Sequence, residues 1–303
     1  MSEEKCELCP RNCKTDRKVR KGFCGASEKI RISRVGLHLW EEPCISYGKG
    51  SGTVFFSGCS LKCVFCQNRE ISGGLKGVDV TPDKLADEFL KLQEMGASNI
   101  NLVTPTHFAD GIIISLDKVK HKLNIPVCYN CGGYEKTETL ERLNGYVDIF
   151  MPDFKYFSPE YSEKYSSAKE YFVVASKAVR KMHDLAGYPV LDDDGHMKSG
   201  VLVRHLVLPS LYKDSIKILE YLASEYDTSK MGLSIMSQYF PTENCKKYPE
   251  INRKLTTLEY MKVVNKALEL GFVNAYIQDK NSADSSYVPD FDYDKKHQKG
   301  LNI

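Results

Sequence analysis

Three cysteines in the run Cys59-Ser-Leu-Lys-Cys63-Val-Phe-Cys66 carry the most specific chemistry in this sequence of 303 residues. Their thiolates are soft ligands, suited to an iron-sulfur centre. A zinc site would normally bring a fourth protein ligand close by. Three thiolates around a four-iron cluster leave one iron without a protein ligand, and that vacancy permits chemistry beyond electron transfer. A second set, Cys6, Cys9, Cys13 and Cys24, has two, three and ten intervening residues. Four thiolates so spaced can close on zinc or ligate an auxiliary iron-sulfur cluster. Zinc is slightly preferred, because this lysine-rich segment has few apolar residues to shield a redox centre.

Eleven cysteines in a chain of this kind argue for metal or redox chemistry rather than structural disulfides. The start, Met1-Ser-Glu-Glu-Lys-Cys, has no apolar run, and no stretch approaches a membrane span. A cytoplasmic protein is expected. Lys and Arg total 42 against 40 Asp and Glu, so no strong field points to nucleic acid.

The elements that position the cysteines alternate along the chain. Thr53-Val-Phe-Phe is a strand that delivers the chain to Cys59. Thr81-Pro82 opens a helix running to about Met95, closed by Gly96. Further strands are expected at Asn99 to Val103, Ile125 to Tyr129, Val147 to Met151, Val201 to Leu208 and Leu233 to Met236, with another at Phe272 to Tyr276. Helices fall between them, including a long one over roughly 160–183, and Thr256 with Glu259 forms a capping box. Tyr188 to Gly200 reads as a hairpin around Asp192-Asp-Asp-Gly195. The expected fold class is α/β, an incomplete (βα)6 TIM-type barrel with a small metal-stapled N-terminal extension. Its parts are a cysteine-containing extension over 1–50, the partial barrel over 51–278 and a polar tail over 279–303. Periodicity alone leaves a doubly wound sheet open.

The cysteine run, with Phe65 before its third cysteine, resembles the signature of the radical S-adenosylmethionine (radical SAM) superfamily. Within it the chain is most similar to the glycyl-radical-enzyme activases, and there to the pyruvate formate-lyase activating enzyme-related branch with an N-terminal cysteine motif. Further matches are Trp40-Glu-Glu-Pro-Cys-Ile-Ser, Cys66-Gln67-Asn68, Val103-Thr-Pro-Thr-His107, Gly133-Tyr-Glu135, Pro152-Asp-Phe-Lys-Tyr156 and Arg204-His-Leu-Val-Leu-Pro209. The resemblance implies a [4Fe-4S] cluster on Cys59, Cys63 and Cys66, with S-adenosyl-L-methionine as cosubstrate. A flavodoxin or ferredoxin-like electron donor is implied as partner.

Site roles follow from the same resemblance. Phe65, Gln67 and Asn68 flank the cluster. Thr104, Thr106 and His107 stand where activases receive the SAM amino group, although the residues differ from the usual segment. Lys155 would approach the SAM carboxylate, and Asp153 would contribute to a monovalent-cation site. Asn130 stands at an activase cation-binding position but lacks the charge. Arg204 matches an activase arginine near SAM and the substrate peptide, with a barrel-lining ion pair as the plainer reading. Gln238 and Tyr239 are equally open to adenine contact or rim packing. Gly132-Gly133 could admit SAM closely, and Cys128 and Cys131 read as buried small hydrophobes before a redox pair.

Three functions compete. The first is installation of a glycyl radical on a partner enzyme. The second is hydrogen abstraction from a small metabolite or peptide, and a metabolite enzyme more often needs several charged or polar groups converging on the site. The third is a non-catalytic electron-transfer protein, disfavoured by the open iron.

Overall fold

A computed structural model describes residues 5–278 together with Pro289, Phe291 and Tyr293. Its sheet has ten strands: β1 Ile30–His38, β2 Ser51–Phe56, β3 Val78–Val80, β4 Ile100–Val103, β5 Val127–Cys131, β6 Ile149–Pro152, β7 Val190–Leu191, β8 Met197–Leu206, β9 Gly232–Met236 and β10 Ala275–Ile277. The order is β10-β9-β8-β6-β5-β4-β2-β1-β3, with β7 paired to β8. From β2 to β10 every neighbour on this path is parallel. Strands therefore follow one another around the sheet in chain order, as in a barrel and unlike a doubly wound sheet. The fold is a partial barrel, with no pairing between β10 and β2.

Helices α1 Arg69–Ser72, α2 Pro82–Glu94, α3 Ala109–Val119, α4 Thr137–Glu141, α5 Pro159–Ser166, α6 Tyr171–Ala186, α7 Tyr212–Glu225 and α8 Thr257–Glu269 complete the βα units. Thr81 caps α2, with Pro82 in the first turn, and Thr256 and Glu259 form the reciprocal capping box of α8. The long helix expected over 160–183 is two helices. Ser167 takes a left-handed conformation, φ 51°, which ends α5 before α6 begins. Residues 31–52 form a hairpin: β1 runs antiparallel to β2 and extends the sheet beyond the barrel strands.

One large core lies between sheet and helices, built from side chains such as Phe56, Phe89, Leu102, Tyr129, Phe150 and Val203. A smaller one fills the barrel's lower end, where Cys44 and Ile45 pack on Cys128, Ile149, Met151 and Leu202. The Ile45 carbonyl accepts hydrogen bonds from Ser98 Oγ at 2.8 Å and Asn99 Nδ2 at 2.6 Å, just before β4. Met197 at the start of β8 donates to the Cys44 carbonyl. Residues 44–45 therefore plug the end of the barrel opposite the cysteine loop.

Candidate functional site

The loop after β2 is held on both sides. Gly58 has φ +94°, and a Cβ there would stand 2.7 Å from the Cys24 carbonyl oxygen, so the tight approach requires glycine. Val64 N–H donates to the Tyr165 carbonyl at 2.8 Å, Thr242 Oγ1 donates to the Val64 carbonyl at 2.6 Å, and Gln67 Nε2 donates to the Gln238 carbonyl at 2.8 Å. Cys59, Cys63 and Cys66 line one cavity of about 520 Å³ at the strands' C-terminal ends. Burial, then the neighbouring thiols Cys63 and Cys66, pushes the Cys59 thiol up to about 12. Burial and Cys63 push Cys66 up to about 11. Uncomplexed, these groups are neutral thiols, and a metal centre would be needed to hold them as thiolates. The three thiols line one cavity without all three sulfurs lying within 4.8 Å of one another, a spread too wide for one zinc ion and open to a larger four-iron cluster.

Across from that loop five charged side chains converge on the cavity wall: Glu41, Glu42, Asp153, Lys155 and Arg204. Lys155 Nζ and Asp153 Oδ2 are 2.5 Å apart, as expected for residues two apart on an extended segment. Burial opposes the charge on Lys155, but Asp153 and Cys63 outweigh it and keep its pKa raised. Burial likewise opposes ionisation of Asp153, while Lys155 and Arg204 outweigh it and hold the carboxyl below its usual range.

Arg204 gathers the rest. Its Nε donates to Asp153 Oδ1 at 3.0 Å, Nη1 to Glu41 Oε2 at 3.2 Å and Nη2 to Asn130 Oδ1 at 2.6 Å. Its expected ion-pair reading and its expected place by the site thus coincide. Arg204 takes Asn130 Oδ1 and Asp153 Oδ1 while Lys155 takes Asp153 Oδ2, so the acceptors a monovalent cation would share at Asp153 already face cations, and Asn130 adds no charge to draw one.

Phe65, Asn68, Thr104, Gly132 and Gln238 also line the cavity. Thr104 holds φ 59°, a costly conformation for a β-branched residue and of the kind that clusters at functional sites. Thr106 and His107 correct the sequence expectation. Thr106 Oγ1 donates to Glu135 at 2.8 Å, and His107 Nε2 bonds the Ser57 carbonyl at 2.7 Å. Both side chains are buried behind the strand ends, away from the cavity lining. Tyr239 takes its plainer role, with its ring on Phe65 and its hydroxyl on the Ile251 carbonyl. Cys128 and Cys131 pack in different cores, and both are free.

The N-terminal quartet braces the loop. Cys24 and Cys9 are buried, and Cys6 and Cys13 half-buried. A Cβ on Gly22 would stand 3.5 Å from both Cys13 Sγ and Cys24 Sγ. Arg11 Nε donates to the Ser60 carbonyl at 2.7 Å, and Arg17 Nη1 to the His107 carbonyl at 2.5 Å. Among the described residues, the one group of three metal-ligating atoms mutually within 4.8 Å is Asp192, Asp194 and His196 on the β7–β8 turn. The quartet is thus more open than tetrahedral zinc, whose bonds of about 2.3 Å set sulfurs about 3.8 Å apart. No described helix is long and apolar enough to cross a membrane.

Glu41 and Glu42 are the site residues that sequence reading missed. The available signal was an adjacent acidic pair set between Trp40 and the run Pro43-Cys44-Ile45. Buried acids in such a setting need partners.

A partial parallel barrel with a three-cysteine loop facing a cavity at its C-terminal end defines a class of proteins built to hold a metal cluster beside a substrate. Residues 53–222 match the Radical SAM superfamily. The chain belongs to that superfamily and carries its catalytic domain. It is 33% identical over 275 residues to "Uncharacterized protein MJ0674" of Methanocaldococcus jannaschii, covering 88% of this chain and 73% of the relative. Among solved structures it is similar to Streptococcus suis SuiB bound to precursor peptide SuiA, with TM-score 0.49 and 11% identity over 73% of this chain. SuiB bound to S-adenosylmethionine gives TM-score 0.48 and 13% identity. The chain spans 46% and 47% of those two structures' chains.

Proposed function

We propose that this protein abstracts hydrogen from a small metabolite or a peptide that enters the cavity. A four-iron cluster on Cys59, Cys63 and Cys66, reduced by a low-potential donor of flavodoxin or ferredoxin type, would cleave S-adenosylmethionine to methionine and a 5'-deoxyadenosyl radical. The chain's own residues position the reactants and exclude water. Lys155 offers its ammonium to a carboxylate, Gly132 lets backbone approach closely, and Arg204 locks the strand ends through Asp153 and Asn130.

The observation that carries this reading is the convergence of Glu41, Glu42, Asp153, Lys155 and Arg204 on one cavity. Several fixed polar groups suit a ligand held by its own functional groups. A glycine Cα–H in a partner's loop offers none, so glycyl-radical installation becomes the second reading, supported by the resemblance of the strand-end motifs to activases.

The test uses reconstituted protein, S-adenosylmethionine and dithionite, with extract of cells grown in deuterated medium and split by size. Deuterium in 5'-deoxyadenosine from the fraction of metabolites and short peptides is expected. Transfer only from the protein fraction, with a persistent glycyl signal in electron paramagnetic resonance, would replace this reading by the second.

A further inference from the structure

The cavity wall holds three carboxylates, Glu41, Glu42 and Asp153, against two permanent cations, Lys155 and Arg204. Lys155 and Asp153 satisfy one another at 2.5 Å. Arg204 is left to face both glutamates, at 3.2 Å from Glu41 Oε2 and 3.8 Å from Glu42 Oε2. Only the first is a hydrogen bond. Burial, before any other influence, raises the pKa of each glutamate.

A second observation is independent of the charge count. Glu42 Oε2 and Ser234 Oγ are both buried and lie near enough to act on one another, yet neither completes a hydrogen bond of good geometry. Both residues line the cavity, and Ser234 is the strand neighbour of Arg204 across β8 and β9. Asn101, on the barrel-facing side of β4, is also buried beside Glu41, with neither amide atom in a hydrogen bond of good geometry. Unpaired buried groups of this kind cost about 1–3 kcal/mol each, so a floor carrying several is costly unless a ligand completes it. Glu42 can only accept when ionised, and Ser234 can accept as well as donate. A group bringing N–H donors and a positive charge satisfies both. An anion would meet ionised Glu41 and Glu42 as like charges, whereas a cation supplies the opposite charge that buried carboxylates need.

We infer that the Glu41–Glu42 floor, with Ser234, is the subsite for an ammonium or guanidinium group of the substrate. The inference rests on the proposed hydrogen abstraction for its biological meaning, but the binding it states is independent of turnover. A free amine and a lysine or arginine side chain of a peptide share this chemistry.

The experiment is calorimetric titration of the reconstituted protein, without reductant, using butylammonium, butylguanidinium and a capped lysyl tripeptide. The uncharged controls are butyramide and the matching norleucyl tripeptide. Emission of Trp40, the chain's single tryptophan and a residue of the cavity wall, reports that binding occurs there. At least tenfold tighter binding of a cation than of its neutral match is expected, falling below twofold in Glu42→Gln. Tighter binding of the tripeptide than of the free amines assigns a peptide substrate, and the reverse assigns a small amine. Ser234→Ala serves as a second variant should Glu42→Gln fold poorly, with a weaker loss expected. Equal binding of cation and neutral match, or an undiminished preference in both variants, overturns the inference. So does competitive displacement of the amines by S-adenosylmethionine, which would assign the surplus carboxylate to the cosubstrate's own positive charge. Loss of hydrogen transfer with cation binding retained would instead count against the proposed function alone.

Discussion

The backbone carbonyl of Cys24 accepts a hydrogen bond from the Cys59 amide at 3.0 Å. The fourth cysteine of the N-terminal set is thus joined to the first cysteine of the cavity loop. Whatever fixes the extension also fixes the loop, because Arg11 ties the same two segments through the Ser60 carbonyl. The quartet, wider set than tetrahedral zinc holds its sulfurs, is proposed to draw together on zinc, since its half-buried Cys6 and Cys13 leave a redox centre poorly shielded. In the Cys59/Cys63/Cys66 triple alanine variant, about one zinc per chain should remain. About four residual iron atoms and no zinc would assign an auxiliary cluster instead. Cys9→Ser, at a buried position, should remove the second metal and also reduce iron retained at the cavity loop.

Removing Arg204 leaves Asp153, Glu41 and Glu42 buried with Lys155 as their sole remaining cation on the cavity wall. Breaking a buried ion network by deleting one partner costs about 3–5 kcal/mol. In a chain of this size that lowers the melting temperature by roughly 5–10 °C. Arg204→Ala should show such a drop, with iron content preserved at the cysteine loop across the cavity. Arg204→Lys should recover part of it, because an ammonium keeps the charge but not the fork that reaches Asp153, Glu41 and Asn130 together. A melting temperature unchanged in Arg204→Ala would show that the network contributes nothing to the fold.

The barrel was legible because its signals are local. Thr81-Pro82 and Thr256 with Glu259 announce helix starts, and strands such as Ile100–Val103 are apolar runs bounded by turns. Lys155 and Asp153 were legible as a pair because extended backbone sends alternate side chains the same way. Ser167 was not, since nothing local distinguishes a serine that ends a helix in the left-handed region from one that continues it. Thr106 and His107 were misplaced for a related reason. The short 3-10 turn over Thr106–Phe108 rotates them behind the strand end, where Glu135 and the Ser57 carbonyl await them. Glu41 reaches Arg204 across 163 positions of sequence, a contact that only the curling of the sheet into a partial barrel creates.

Glu135 makes stability fall with rising pH. Burial, eased by hydrogen bonds from Thr106 and Tyr129, raises its carboxyl from 4.5 to about 7. Between those values the folded protein keeps a proton that the unfolded chain releases, so raising the pH favours unfolding. The contribution is fully present below 4.5, is lost as pH rises through about 7, and amounts to about 3 kcal/mol. Glu135→Gln removes the ionisation. Its melting temperature relative to the parent should therefore increase by about 3–5 °C between pH 5 and pH 8. A difference that stays constant across that range would show that Glu135 titrates normally.

Four cysteines line the cavity, Cys59, Cys63, Cys66 and Cys131, and only the first three are proposed as ligands. Cys131 ends β5 and belongs to the core between sheet and helices. Its thiol is raised well above its usual pKa by burial and then by Glu135. The loop cysteines, by contrast, act on one another, as Cys63 and Cys66 do on Cys59. Mutual influence is what ligands of one centre should show before the metal arrives, because each thiolate raises the cost of the next until a cation compensates them. Alanine at Cys59, Cys63 or Cys66 should therefore reduce iron at the loop to less than half and abolish 5'-deoxyadenosine formation. Cys131→Ala should keep both, at the cost of a small cavity worth about 1–2 kcal/mol of stability. Iron content by metal analysis and 5'-deoxyadenosine by chromatography, measured on the four single variants in parallel, check this. Loss of the cluster in Cys131→Ala as well as in all three loop variants would add the fourth cysteine to the ligand set and close the open iron on which the proposed chemistry depends.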